Sequence, residues 1–180
     1  MDIRPDDVCL ALAAIVGVTG GVFDLLPSHR IPNYFTYSSA ACGIVMRGVL
    51  GGWRDLLSAV AAAMVTFFFM VIFYRLCTMG GGDVKLMTAV AAFAAMPHVF
   101  LEMFCTALAG GLIALGIILW KRQLKKRLAN IVLILMHHFH GGITPHPELS
   151  LDGPDALTMP YGAAIAVGSM AVLLIVRGLK

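Results

Sequence analysis

The chain has 180 residues, 59% of them hydrophobic and 13% charged, with a net charge of +3 and a mean hydropathy of +0.88. Soluble domains carry about a quarter charged residues and roughly half apolar ones, and a compact fold of this length could not hide so much apolar sequence from water. A soluble globule is therefore excluded. The expected fold class is all-α: a single-domain polytopic membrane protein over residues 1–180, with about six transmembrane helices.

The first residues, Met1-Asp2-Ile3-Arg4-Pro5-Asp6-Asp7, are acidic. They lack the basic n-region of a cleavable signal peptide, so the apolar run that follows is expected to persist as a helix. Spans are predicted over residues 8–23, 34–50, 56–77, 84–96, 99–120 and 159–176. The third is the clearest, since Leu56 through Tyr74 holds no Asp, Glu, Lys, Arg or His, and about 18 such residues read as a span. The fourth is short and is ended or kinked by Pro97. Gly17 with Gly21, Ala107 with Gly111, and Ala164 with Gly168 stand four residues apart, a spacing that lets helix backbones approach in lipid. Between the last two spans, residues 128–136 are apolar but too short to cross and suggest an interfacial or re-entrant helix. Gly141, Gly142, Pro145, Pro147, Gly153 and Pro154 then break the chain into a loop.

Basic residues near the span ends orient the chain. With the N-terminus outside, the cytoplasmic loops hold Arg30, Arg75, Lys85 and the five basic residues between Lys121 and Arg127, eight in all. The outer side then holds five: Arg4, Arg47, Arg54, Arg177 and Lys180. The dense basic run has no interleaved aromatics and no soluble fold around it, which argues against nucleic-acid binding and for an orientation signal or contact with acidic lipid heads. Glu102, Arg54 and Asp55 are expected at the outer surface.

Cys9, Cys42, Cys77 and Cys105 are scattered with no CxxC pair, so neither structural zinc nor a disulfide framework is expected. His137, His138, His140 and His146 lack neighbouring acids and cysteines, and the first three do not share one helical face. A solvated or interfacial cluster is expected there, with no metal.

Two acids carry the chemistry. Asp24 ends the first span in Gly20-Gly21-Val22-Phe23-Asp24, and Asp83 opens the fourth in Gly80-Gly81-Gly82-Asp83-Val84-Lys85-Leu86. One span exits to the cytoplasm and the other enters from it, so both carboxyls belong at one face and similar depth. A carboxylate near hydrocarbon is costly and reads as functional by default. Two of them together share a proton, so one can act as general base on a water while the other hydrogen-bonds a scissile carbonyl. That is aspartic-protease chemistry. Gly80, Gly81 and Gly82 would let an extended substrate backbone approach closely. A plain alternative stays open, in which Asp24 simply terminates a helix and Asp83 is an N-cap.

The residues Gly80-Gly81-Gly82-Asp83-Val84-Lys85-Leu86 match the G-x-G-D-x-K-L signature of the type IV prepilin peptidase family. Asp24 followed by Arg30-Ile31-Pro32-Asn33 resembles that family's other catalytic segment, and Met159-Pro160-Tyr161-Gly162-Ala163-Ala164 resembles the start of its last helix, with Ala163 where proline is frequent. The resemblance implies removal of a short basic leader from prepilins or prepilin-like proteins, after a glycine, at the cytoplasmic face of the bacterial inner membrane. It implies Asp24 and Asp83 as the catalytic pair, with no cofactor. Larger members also N-methylate the product and carry an insertion with paired CxxC motifs. Here the connection after Asp24 is short and has no cysteine, so methyltransferase activity is not expected. The chain resembles the compact branch serving Flp (tight-adherence) pili.

Lys85 carries two open readings, a cation that favours ionised Asp83 and a lysine snorkelling to the membrane surface. Pro32 is expected to set the turn into the second span and Asn33 to cap it. From another class comes a proton-coupled transporter with Asp24 and Asp83 as relay, although such relays usually sit near mid-span on broken helices. A non-catalytic scaffold would leave the glycine-aspartate run unexplained.

Overall fold

The computed structural model describes residues 4–26, 31–75, 79–120 and 161–179. These form four α-helices: α1 (Pro5–Leu25), α2 (Asn33–Arg75), α3 (Gly81–Trp120) and α4 (Tyr161–Gly178). No strand occurs among the described residues. All four helices are long and apolar enough to cross a membrane, and side chains such as Phe68, Phe104 and Leu112 stay more than half exposed. Apolar surface of this extent is suited to lipid rather than water. The chain is a multi-pass membrane protein.

Local sequence explains the helix starts. Pro5 occupies the first turn of α1, where its missing N–H costs nothing. Asp6 and Asp7 sit against the positive end of that helix, and Asp7 Oδ2 accepts from Arg4 N at 3.4 Å.

Six spans are predicted; α2 and α3 each join two helices across a kink, near the boundaries predicted between the second and third and between the fourth and fifth spans. A straight helix of the 43 residues of α2 would measure about 65 Å, twice the hydrocarbon thickness. At Gly52 the backbone leaves helical geometry with φ of 76°, a conformation open to glycine. Leu56 is thereby brought beside Gly48, eight residues earlier, a separation of about 12 Å in a straight helix. In α3 the break falls at Ala95, with φ of 58°, two residues before Pro97. Proline removes the donor that Phe93 O would need, and a non-glycine residue at positive φ costs on the order of 1–3 kcal/mol. Arg47 stabilises this break from α2. Its Nε donates to Phe93 O at 2.7 Å and its Nη2 to Ala94 O at 3.0 Å, while Nη1 is ion-paired with Asp6. Met96 N donates to Ser58 Oγ at 3.0 Å.

α2 packs chiefly on α3, α1 on α4, and α3 also meets α4. The main core joins Ala13, Met70, Leu86, Met87, Val90, Phe93 and Ile165. Gly17 and Gly21 face α4, where a Cβ would come within 2.8 Å of Ser169 Oγ or Gly162 O. Ala107 is exposed and Gly111 has nothing within 4 Å of a Cβ position, so that predicted small-residue pair makes no helix contact among the described residues.

One further expectation is corrected by packing: Glu102 is fully buried rather than at the outer surface. Arg47 is also buried, at 2% exposure. Cys9 and Cys105 are buried and Cys42 is exposed. Arg30, Cys77, the basic run from Lys121 and the histidine cluster at 137–146 lie outside the described residues.

Candidate active site

α1 ends and α3 begins at one cavity of about 490 Å³. It is lined by Asp24, Ile31, Pro32, Asn33, Gly80, Gly81, Gly82 and Asp83. Asp24 is the penultimate residue of α1 and Asp83 lies in the first turn of α3. The two carboxylates are near enough for their charges to interact. Among the described residues, no lysine or arginine lines the cavity.

The position of each acid follows from helix ends. Gly80, not Asp83, caps α3: its carbonyl accepts from Asp83 N at 3.2 Å and Val84 N at 3.4 Å. The Asp83 carboxyl folds back over Gly80, where a Cβ would fall 3.1 Å from Oδ2. Asp24 stands at the negative end of its own helix, an unfavourable place for an acid. Gly162 compensates, since its N–H, in the first turn of α4, donates to Asp24 Oδ2 at 2.9 Å. A Cβ at Gly162 would lie 2.8 Å from Asp24 Cβ, so only glycine lets the two helices meet this closely. The donor-rich starts of α3 and α4 therefore both converge on the acids.

The opposite wall is built by the chain entering α2. Pro32 O accepts from Phe35 N at 3.1 Å and Thr36 N at 3.3 Å, so proline supplies the cap and Asn33 is the first helical residue. The Asn33 side chain is used elsewhere, its Oδ1 accepting from Lys85 Nζ at 2.8 Å. Lys85 also lies 5.4 Å from the Tyr37 ring centroid, a cation–π distance. It is not among the lining residues, and its recorded contacts tie α3 to the start of α2. Phe23 and Phe35 stack edge to face at 5.4 Å and brace the two elements on either side of the cavity.

Sequence reasoning did not anticipate the contact of Gly162 with Asp24. The Tyr161-Gly162-Ala163 run stood out in the sequence, yet a backbone donor reaching across 138 positions leaves no spacing signal. Among the described residues, no group of three or more His, Cys, Asp or Glu could hold a metal ion. Chemically, the cavity offers two interacting carboxyls, backbone without side chains along 80–82, and room for an extended peptide.

A sequence profile described as the type IV leader peptidase family matches residues 11–115, a stretch that holds every described residue lining the cavity. No curated protein and no solved structure matches the chain.

Proposed function

The chain belongs to the type IV leader peptidase family, and from that premise we propose that it is an aspartic endopeptidase of the bacterial inner membrane. Its substrate is a prepilin or prepilin-like protein whose short basic leader is removed at the cytoplasmic face. The observation that carries this reading is the shared cavity of Asp24 and Asp83, walled by Gly80, Gly81 and Gly82.

In the proposed mechanism an extended segment lies along the three glycines, with its scissile carbonyl between the acids. One ionised carboxylate takes a proton from a water as that water attacks the carbonyl carbon. The other carboxyl, protonated, donates to the carbonyl oxygen as the tetrahedral intermediate forms. Collapse breaks the C–N bond: the proton taken from the water passes to the leaving amine, and the acid that protonated the carbonyl oxygen takes a proton back from the gem-diol as the carboxyl product forms. Gly162 fixes the orientation of the Asp24 carboxyl through its N–H, and Lys85 holds Asn33 and with it the opposite wall. No metal or organic cofactor takes part.

The bends at Gly52 and Ala95 support a reading of six crossings, and the basic-residue count supports an outside N-terminus. The short, cysteine-free connection between Asp24 and α2 supports leader cleavage without N-methylation, as in the compact Flp-type branch. The test is co-expression of a prepilin with Asp24→Asn or Asp83→Asn, following leader removal on a gel. Each variant should leave the precursor uncleaved; full processing by either refutes the aspartic mechanism.

A further inference from the structure

Glu102, on α3, has no exposure to solvent, and neither of its carboxyl oxygens has a hydrogen-bond partner among the described residues. The same holds for Thr106 Oγ1, one turn further along the same face. Ser169 of α4 stands beside Glu102. Its hydroxyl donates to Ile165 O at 2.8 Å, which leaves its oxygen free to accept. The backbones of α1 and α4 close over this group, since a Cβ at Gly168 would fall 2.4 Å from Thr106 Oγ1 and one at Gly17 2.8 Å from Ser169 Oγ.

Ionisable groups on α3 near Glu102 are Cys105 and, one turn earlier, His98. The facing residues are Ser169 from α4 and Gly17 from α1, and α2 reaches this level with Thr66 against Met103. Among these described residues there is no lysine or arginine, and His98 alone can carry a positive charge. A carboxylate withdrawn from water is strongly disfavoured unless a positive charge accompanies it. A proton on Glu102, donated to Ser169 Oγ, would serve one oxygen and leave the other, with Thr106 Oγ1, without a partner among the described residues. A metal ion seated among the three side chains would engage them together. One carboxylate balances one charge, which argues against a divalent ion.

We propose that Glu102, Thr106 and Ser169 form an internal binding site for a dehydrated monovalent metal cation, with sodium as the probe. The site lies about 10 Å along α1 and α4 from the Asp24–Gly162 contact and does not depend on the peptidase reading. The full-length protein in detergent is unfolded thermally while sodium replaces choline at constant ionic strength, at several pH values. Sodium should raise the midpoint by roughly 3 °C per tenfold increase above saturation, and radioactive sodium should bind as a single ion per chain. Glu102→Gln should fold and lose the sodium response. Thr106→Val should move that response to roughly tenfold higher concentration, and it serves as the test if the glutamine variant fails to fold. A wild-type midpoint that ignores sodium, or follows pH alone because a proton neutralises Glu102, overturns the proposal, as does an unchanged sodium response in these variants.

Discussion

Where α1 begins, the buried Arg47 meets Asp6 and the carbonyls of Phe93 and Ala94; where α1 finishes, Asp24 and Asp83 share a cavity with no lysine or arginine among its described lining residues. Helix geometry puts Asp6 and Asp24 about 27 Å apart along α1. At the first end a cation answers the open carbonyls of a broken helix and its charge is matched by an acid. At the second, two acids share one cavity, and the N–H of Gly162 meets Asp24. The first arrangement holds a bend in place. The second brings together two carboxyls whose charges oppose joint ionisation, which is a reason to expect chemistry there.

Substitutions at the two ends should therefore fail in different ways. Asp83→Asn or Asp24→Asn should lower leader cleavage by about 10²–10⁴-fold while the thermal midpoint stays near wild type, as read by cleavage assays alongside unfolding of the purified protein. Arg47→Met should reverse that pattern. Asp6 is half-exposed, but the buried carbonyls of Phe93 and Ala94 lose their donors at about 1–3 kcal/mol each. Denaturant unfolding should therefore show a large loss of stability while activity per folded molecule changes little. Equal damage to both readouts from Arg47→Met would erase the contrast. Gly162→Ala tests the hinge between the two behaviours. The added Cβ, placed 2.8 Å from Asp24 Cβ, should cost about 1–3 kcal/mol, and cleavage should fall further than the folded fraction does. The smallest effect has the opposite sign. Ala95→Gly relieves the positive φ at the bend and should stabilise the protein by about 1 kcal/mol, visible as a raised midpoint with unchanged cleavage.

Much of the cavity was legible because its parts obey local rules. An acid at the end of an apolar run is expensive wherever it occurs, and a triple glycine before it is rare punctuation, so Asp24, Asp83 and 80–82 stand out by composition alone. Side-chain direction was less legible. Arg47 and Glu102 sit in stretches whose hydropathy differs little whether a residue points to lipid, solvent or a neighbouring helix; only packing of α2 and α4 on α3 decides it. The uses of Asn33 and Lys85 follow from the same limit. Capping and snorkelling are local habits, and a partner 52 positions away overrides both. Helix count was ambiguous because glycine and proline mark a bend and a loop with the same letters.

The hydrogen bond from Gly162 to Asp24 joins the first helix to α4. During synthesis a ribosome that has emitted only the first 120 residues has already delivered both acids to the bilayer, yet not the amide that orients one of them. On the proposed mechanism, cleavage by the nascent chain waits for α4 to be threaded in.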